Sequence, residues 1–469
     1  MKKKIQPVIL AGGGGSRLWP VSRQSRPKPF NKILSDYPML HSTLMRLKNI
    51  NTNPAIIVTN ENHKFFVKDI LNQTKTNAKL VIEPFGRNTA PAVASAAKIA
   101  DKDSILLVLP SDHLISSNEK FADLIEGVIA SECDEKLVVF GVKPTFPHTG
   151  YGYIHTENIQ DKSYLSVKNF TEKPSLEDAK NYIKDENYLW NSGMFMFNRD
   201  TYLKELKKFD PDIFEQSIKS IPTSNKDDEE YYLIENEFKS CPDKSIDYAV
   251  FEKTSNAICF SFDIGWSDLG SWSSIYDASK DKRDKKNNLS IGDNILIDSK
   301  QNIVISESRL VAAVGISDTV IIETKDAVLV TTKEKSEDVK KLVDCLKEND
   351  RDEFQWHREV HRPWGKYDSI DSDDGFQVKR ITVNPGAKLS VQMHYHRSEH
   401  WVVVSGKARV HYGDEYRDLN INESTYHDKE VVHALENIGD SPMILIEVQI
   451  GDYLGEDDIV RFDDIYGRS

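Results

Sequence analysis

Cysteine is scarce in this chain. There are four in 469 residues, Cys133, Cys241, Cys259 and Cys345, widely scattered and with no Cys-x-x-Cys pair. That excludes a disulfide framework and a cysteine-built zinc site, and leaves inert reduced thiols as the expectation. A basic excess is also lacking: 61 Lys and Arg stand against 74 Asp and Glu, a net charge of -13. Such a field repels nucleic-acid backbones at long range, so no nucleic-acid partner is expected and any phosphate site must be a local positive pocket. Long apolar runs are missing too. No stretch approaches the roughly 20 apolar residues that cross a bilayer, and the run after the N-terminal lysines breaks at Ala11 into four glycines, too short for a secretion signal. A cytoplasmic protein without a membrane partner is the expectation. What is present, 39% hydrophobic and 29% charged residues, suits a globular chain, and its length suits two or three domains.

The first half repeats one pattern: a short aliphatic run, a turn signal, then a segment with helical spacing. Alternation of this kind predicts a parallel sheet covered on both faces. The runs are Pro7 to Leu10, Ala55 to Thr59, Leu80 to Ile82, Ile105 to Leu109 and Leu137 to Val142, and ligands are expected at their C-terminal ends. The charged stretch DASKDKRDKKNN, ending at Asn288, has almost nothing to bury and is read as a solvated connection. Closely spaced strand-like pieces follow, NILID, NIVIS, LVAAVGI, TVIIET and AVLVTT, the pattern of a small β-helix or β-roll. Helical periodicity returns at Ser336 to Leu346, and from Val378 the pattern is all β, predicting a compact barrel or sandwich. The expected domains are 1-280, an α/β fold with a mixed, mostly parallel sheet; 281-347, a short β-helix-like connection; and 348-469, an all-β barrel.

Directly after the first strand comes AGGGGSRLWPVSRQSRPKPF, Ala11 to Phe30. Glycines here let main-chain N-H groups approach a polyphosphate and tolerate positive dihedrals. The spacing is neither that of a P-loop nor that of the dinucleotide fingerprint, since Arg17 stands where the third glycine would fall after Gly12 and Gly14. Arg17 and Lys28 supply the cations, one a fork and one a point charge. In ILLVLPSDH, Asp112 lies just past the end of a buried strand, where a carboxylate either holds Mg²⁺ or forms an Asx-turn.

The whole string GGGGSRLWPVSR followed by PK resembles the signature of the sugar-nucleotide pyrophosphorylases, and Leu-Trp-Pro-x-Ser-Arg resembles the mannose-1-phosphate guanylyltransferase branch. Pro29 departs from it, since glutamine is usual there. The resemblance implies a Rossmann-like nucleotidyltransferase using GTP and mannose 1-phosphate to make GDP-mannose for polysaccharide biosynthesis. It also implies roles for particular residues. Ala11, Gly12, Gly13, Gly15 and Ser111 would meet the nucleotide. EPFGRNTAPA would recognise guanine and ribose through Glu83, Arg87 and Asn88; taken alone, Glu83 would be a solvated loop acid. In WSDLGSW, Asp268 would join Asp112 on Mg²⁺. GYGYI, FTEKP and WNSGMFMF would hold the sugar phosphate through Gly152, Glu172, Lys173, Asn191 and Gly193, with Lys173 on the phosphate. Arg17, Lys28, Asp112 and Asp268 are the expected catalytic set.

Farther on, PGAKLSVQMHYHRSEHWVVVSGKARV resembles the first cupin motif, with Gly386, Gln392, His394, Glu399 and Gly406 at its spacing, and His433 and Asn437 in HALEN represent the second. On a strand, the alternating Gln392, His394 and His396 would all face the barrel interior. A metal on Gln392, His394, Glu399 and His433 is expected, zinc or a similar divalent ion. With HRPWGKYDSI before it and GDYLGEDDIVRFDDIYGR at the end, this region is similar to type II mannose-6-phosphate isomerase, which is commonly fused to the guanylyltransferase in this order. The resemblance implies interconversion of hexose 6-phosphates, fructose 6-phosphate and mannose 6-phosphate. His396 or Glu399 would move the proton, and Arg397, Arg461 or Lys379 would meet the phosphate. One departure stands out: where the family usually reads Ile-Pro-x-Gly before the second-motif histidine, this chain has HDKEVVH, His427 to His433. Two other readings stay open. The barrel is a non-catalytic module for stability or dimerisation, or the whole chain is a regulatory sugar-nucleotide binder. A homodimer or higher homo-oligomer is expected.

Overall fold

The computed structural model describes residues 4–223, 229–412 and 415–463. The end of GDYLGEDDIVRFDDIYGR, 464–468, lies outside the described residues. The chain divides into two compact units, the first formed by Met1–Ser306, Leu310–Glu323 and Val328–Phe354, the second by Glu307–Arg309, Thr324–Ala327 and Gln355–Ser469.

The first unit begins with strands β1 (Ile5–Leu10), β2 (Ala55–Asn60), β3 (Ala78–Glu83), β4 (Ile105–Pro110), β5 (Leu114–Ile115) and β6 (Leu137–Val142). They are followed by β7 (Tyr153–Asn158), β8 (Leu165–Thr171), β9 (Tyr188–Asn198), β10 (Glu230–Tyr232), β11 (Ala257–Phe262) and β12 (Trp266–Ser267). Ten of them form one sheet in the order β10-β3-β2-β1-β4-β9-β6-β11-β8-β7. β9 runs against β4 and β6, and β8 against β11 and β7; the other eight run one way. The sheet is thus mixed and mostly parallel, as the apolar runs predict. Alternate residues of β1 feed opposite faces, Val8 one core and Ile9 the other, which is why the run carries no polar alternation. Helix Thr89–Ile99 presents Ala90, Ala92, Ala94, Ala96 and Ala97 to the core with Val8, small side chains that let it lie close to the sheet.

The pieces after Asn288 form coiled rungs. Leu289–Ile291, Ile303–Ser306 and Thr319–Glu323 pair in parallel, and Leu289, Ile303 and Val320 are fully buried inside. Asn302 stacks beneath Asn288, its Nδ2 donating to Asn288 Oδ1 (3.0 Å) and to the Ile316 carbonyl (3.1 Å). Asn288 is itself buried. Residues 280–287 of the charged stretch are largely exposed, as a solvated segment should be, but its last residue, Asn288, already belongs to the first rung, where its amide closes the coil's backbone hydrogen bonding.

The second unit is two antiparallel sheets. The six-stranded sheet has Phe376–Val383, Met443–Gly451 and Arg397–Ser405 at its centre; the five-stranded one joins Glu415–Leu419, Ala408–Tyr412, His433–Asn437, Val391–His394 and Ile459–Asp463. Trp401, Val403, Val410, Leu435, Met443 and Leu445 fill the interior. This is the expected all-β barrel.

Candidate functional site

The glycine loop leaves the C-terminal end of β1. Gly13 and Gly15 have positive φ, 91° and 54°, and a Cβ on Gly15 would stand 2.8 Å from Lys28 Cβ, so glycine at 15 is what lets Lys28 pack beneath the turn. Ala11 N-H donates to the Val58 carbonyl (2.8 Å), and Ser111 Oγ donates to the Leu10 carbonyl (2.7 Å). Those bonds fix the loop against the ends of β2 and β4. Gly12 and Gly14 face open space.

Asp112 follows β4, and Asp268 reaches it through a short ribbon: β5 pairs with β12, Trp266 opposite Ile115 and Ser267 opposite Leu114. Lys28 Nζ, on a buried side chain, donates to Asp112 Oδ2 (2.9 Å) and to the Asp268 carbonyl oxygen. Burial works against ionisation of Asp112, but the Lys28 charge beside it outweighs this and holds the carboxyl below its ordinary range. Asp268 Oδ1 accepts from Tyr151 OH (2.6 Å) and Gly270 N-H (2.9 Å). Among the described residues no donor meets its Oδ2. Burial, then the Asp268 charge, push the Tyr151 phenol far up, so it stays a proton donor.

Arg17 is 3.5 Å from Glu337, whose other oxygen is 4.0 Å from His148 Nε2. His148 stacks on Tyr151 with centroids 3.8 Å apart. Sequence reasoning missed Tyr151, His148 and Glu337. Tyr151 sits beside the flagged Gly152, but Glu337 lies in a charged run that carries no local signal.

Glu83 closes β3 as a buried carboxyl whose Oε1 has no hydrogen-bond partner. Burial pushes its pKa up to about 8. It is therefore no solvated loop acid. Arg87 lies over Phe85, 5.1 Å from the ring centroid, and donates to the Lys239 carbonyl (2.8 Å). Asn88, at φ 64°, caps the helix from Thr89.

On β7 and β9, Asn191 N-H donates to the Gly152 carbonyl (2.8 Å). A Cβ on Gly152 would meet Glu172 Oε2 at 2.5 Å. Asn191 Nδ2 donates to Asp247 Oδ1 (2.9 Å), and its Oδ1 accepts from Gly193 N-H (3.1 Å). Burial, then the Glu172 charge, raise Asp247 to about 7; nothing in the sequence flags this acid. Lys173, at φ 48°, pairs with Glu172 (2.9 Å) and is largely exposed.

In the barrel, ligand atoms of His394, Glu399 and His433 lie within 4.8 Å of one another, all three buried. His394 Nε2 is 3.0 Å and His433 Nε2 3.5 Å from Glu399, yet neither nitrogen makes a hydrogen bond. Buried imidazole nitrogens without hydrogen-bond partners, fanned about a carboxylate, suit a divalent transition metal. Glu399 is steadied from behind by Arg397 Nε (3.3 Å), Trp401 Nε1 (3.1 Å) and Gln449 Nε2 (3.0 Å). Gln392 Oε1 accepts from Ser390 Oγ (2.9 Å). His396 does not face the interior: its strand ends at His394, the alternation ends with it, and the half-exposed ring bonds Asp458 (2.7 Å). Arg397 is wholly buried and also donates to the Gly455 carbonyl (2.8 Å). Lys379 pairs with Glu456 (2.5 Å) and, with Arg397 and Arg461, lines a cleft of about 50 Å³ beside Glu399.

At the departure from the family pattern, His427 points inward between Trp401 and His433, ring centroids 4.4 and 4.5 Å away, with no hydrogen-bond partner on either nitrogen. Burial, then His433, lower it to about 3, so the ring is neutral. Glu430 takes the place of the usual glycine, at φ 61°.

Residues 6–285 match the nucleotidyl transferase family, 292–346 the MannoseP isomerase/GMP-like beta-helix domain, and 349–464 the mannose-6-phosphate isomerase C-terminal domain. The chain is 46% identical to the mannose-1-phosphate guanylyltransferase ManC of Salmonella typhimurium, over 99% of this chain and 98% of that one. It belongs to the mannose-1-phosphate guanylyltransferase family. The xanthan biosynthesis protein XanB of Xanthomonas campestris is 47% identical over 99% of both chains. A crystal structure of mannose-1-phosphate geranyltransferase from Thermus thermophilus covers 74% of this chain and 100% of its own, with 29% identity and TM-score 0.64. Mannose-6-phosphate isomerase from Helicobacter pylori covers 56% and 99%, with 29% identity and TM-score 0.50. The chain is an enzyme of the nucleotidyltransferase class. No helix among the described residues is long and apolar enough to cross a membrane.

Proposed function

We propose that the chain joins GTP to mannose 1-phosphate, giving GDP-mannose and pyrophosphate. The observation carrying this reading is Lys28, whose Nζ joins the Asp112 carboxylate to the Asp268 main-chain carbonyl beside the glycine loop. A phosphate oxygen of the sugar attacks the α-phosphorus in line; that O-P bond forms as the bond to the β-phosphate's bridging oxygen breaks. No covalent enzyme intermediate is needed, so the residues act by position and charge. The backbone N-H groups of Gly12 to Gly15 cradle the triphosphate, and Lys28 and Arg17 steady the leaving charge, Arg17 exchanging Glu337 for phosphate. Lys173 makes the same exchange with Glu172 to meet the sugar phosphate. Asp112 and the free oxygen of Asp268 form an oxygen-only pair suited to Mg²⁺, which when bound would neutralise phosphate charge.

Glu83 supports guanine. A buried carboxyl with an unsatisfied oxygen matches the paired N-H donors of the guanine edge, which favour its ionised form. With its pKa at about 8, Glu83 is mostly protonated at pH 7, so binding GTP releases close to one proton per site. Calorimetry in buffers of different ionisation enthalpy reads this release, and Glu83→Gln abolishes it. The same raised pKa makes the free protein lose stability as pH climbs from the ordinary carboxylate range through 8; Glu83→Gln flattens that slope.

The test of the reaction is a matrix of GTP, ATP, UTP and dTTP against mannose 1-phosphate and glucose 1-phosphate, scored by pyrophosphate release. GTP with mannose 1-phosphate is the expected best pair by tenfold or more; a better pair of another base or sugar refutes the reading.

A second activity, interconversion of fructose 6-phosphate and mannose 6-phosphate, is favoured by the His394, Glu399 and His433 cluster. A metal held there by His394, Glu399 and His433 would polarise the carbonyl, with Lys379, Arg397 and Arg461 facing the phosphate. The two reactions are not consecutive, since a mutase must first move the phosphate from O6 to O1. We place the functional boundaries near 280 and 348.

A further inference from the structure

Helix Met39–Leu47 carries Arg46, whose side chain is almost wholly buried. A buried guanidinium is ordinarily paired with a carboxylate. Here its Nη2 donates to the His113 carbonyl oxygen (3.2 Å), its Cζ lies 5.6 Å from the Phe121 ring centroid, and its Nε is buried without a hydrogen-bond partner. Among the described residues no carboxylate pairs with it. Arg46 lines a cleft of about 330 Å³ together with Tyr37, His41, Ser42, Ser116 and Asn118. No residue of the glycine loop, the Glu83 segment or the sugar segments borders this cleft; it touches the reaction site only through His113 and Leu269, the neighbours of Asp112 and Asp268.

An uncompensated buried cation at the wall of a cleft this size calls for an anion, and the hydroxyl of Ser42 and the amide of Asn118 supply donors for its oxygens. Tyr37 and His41, stacked with centroids 4.3 Å apart, give the cleft an aromatic wall. The contact to His113 provides a route to the chemistry. The same residue that accepts from Arg46 at its carbonyl accepts from Trp266 Nε1 at its Nδ1 (3.2 Å), and Trp266 stands two residues before Asp268. An anion that drew the guanidinium away from the carbonyl would shift the peptide following His113, one residue beyond Asp112, and disturb the Trp266 contact. We propose that this cleft is a second, effector site for a small phosphate- or carboxylate-bearing molecule, read out at Asp112 and Asp268 through His113.

The coupling to turnover rests on the reaction proposed above; the binding does not. Binding is measured by calorimetry on the full chain carrying Lys28→Ala, which weakens phosphate binding at the reaction site. The probes are inorganic phosphate, GMP and citrate. At least one is expected to bind with a Kd below about 1 mM, and to weaken tenfold or more when Arg46→Met or the cleft-filling Ser42→Phe is added. Sites elsewhere in the chain cancel in that difference. Ser42→Phe leaves Arg46 in place, so it tests the cleft even where Arg46→Met fails to fold. If none of the three binds, or binding survives Ser42→Phe unchanged, the site does not exist. With Lys28 intact and both substrates saturating, the binding probe is expected to change kcat by about fivefold or more, a threshold set at the low end of typical allosteric coupling, and Ser42→Phe to remove the response while turnover without probe stays within twofold. Binding that leaves kcat unchanged overturns the coupling.

Discussion

Asp112→Ala lowers the rate of GDP-mannose formation by about 10³-fold or more, and Lys28→Ala by about 10²- to 10³-fold, the scale on which losing one preorganised charge partner slows a reaction. Both effects fall on kcat rather than on KM for mannose 1-phosphate, because the groups act on charge that moves as the α-phosphorus changes partners. The two are not additive. Lys28 Nζ is held by Asp112 Oδ2 and the Asp268 carbonyl, so removing either member misplaces the other, and the double variant is little slower than the worse single one. Folding is checked by circular dichroism and thermal unfolding. Stopped turnover in a folded protein supports the assignment; near-normal turnover in either variant refutes it.

On the isomerase reading proposed for the barrel, His394→Ala is expected to empty it of metal and abolish hexose 6-phosphate interconversion, while guanylyl transfer stays within twofold. Loss of a ligand exceeds the roughly 10- to 100-fold that losing a group behind a ligand costs in metal affinity. Metal content of the purified variant, and the fall in thermal midpoint of the wild-type chain on chelation, report this directly. A variant that retains stoichiometric metal and isomerase activity would show the cluster to be structural. Transfer activity that disappears with His394 would show that the barrel serves the first reaction instead.

The sheet was legible because strands covered on both faces leave near-continuous apolar runs, and β1, β2, β4 and β6 lie where those runs fall. The barrel followed from short strands at close spacing, and the rungs from repeated aliphatic pieces. The meeting of Asp112 and Asp268 rested on family resemblance. Physically it depends on β5 and β12, two residues each, and a pairing that short leaves no periodicity to read. Local pattern fails differently at His396, because the strand and its alternation end at His394 and Asp458 holds the ring outside. His427 shows the reverse. Thr425 and His427 alternate inward with Ser424 and Tyr426 outward, so the departure from the family pattern was visible but its inward direction needed the strand. Arg46 was hidden for another reason. The periodic Leu40, Leu44 and Leu47 mark the buried face of its helix, and only Phe121 and His113, brought from a distant segment, explain why the arginine between them is buried as well.

Crystals of the full chain grown with GDP-mannose and Mn²⁺ in place of Mg²⁺ test the account at its centre, because manganese is located by its own anomalous scattering. One peak is expected in the first unit, bound to carboxylate oxygens of both Asp112 and Asp268 and to nucleotide phosphate, with Lys28 and the Gly12 to Gly15 backbone on the remaining phosphate oxygens. A nucleotide bound with its phosphates away from the glycine loop, or manganese held by neither aspartate, would contradict it.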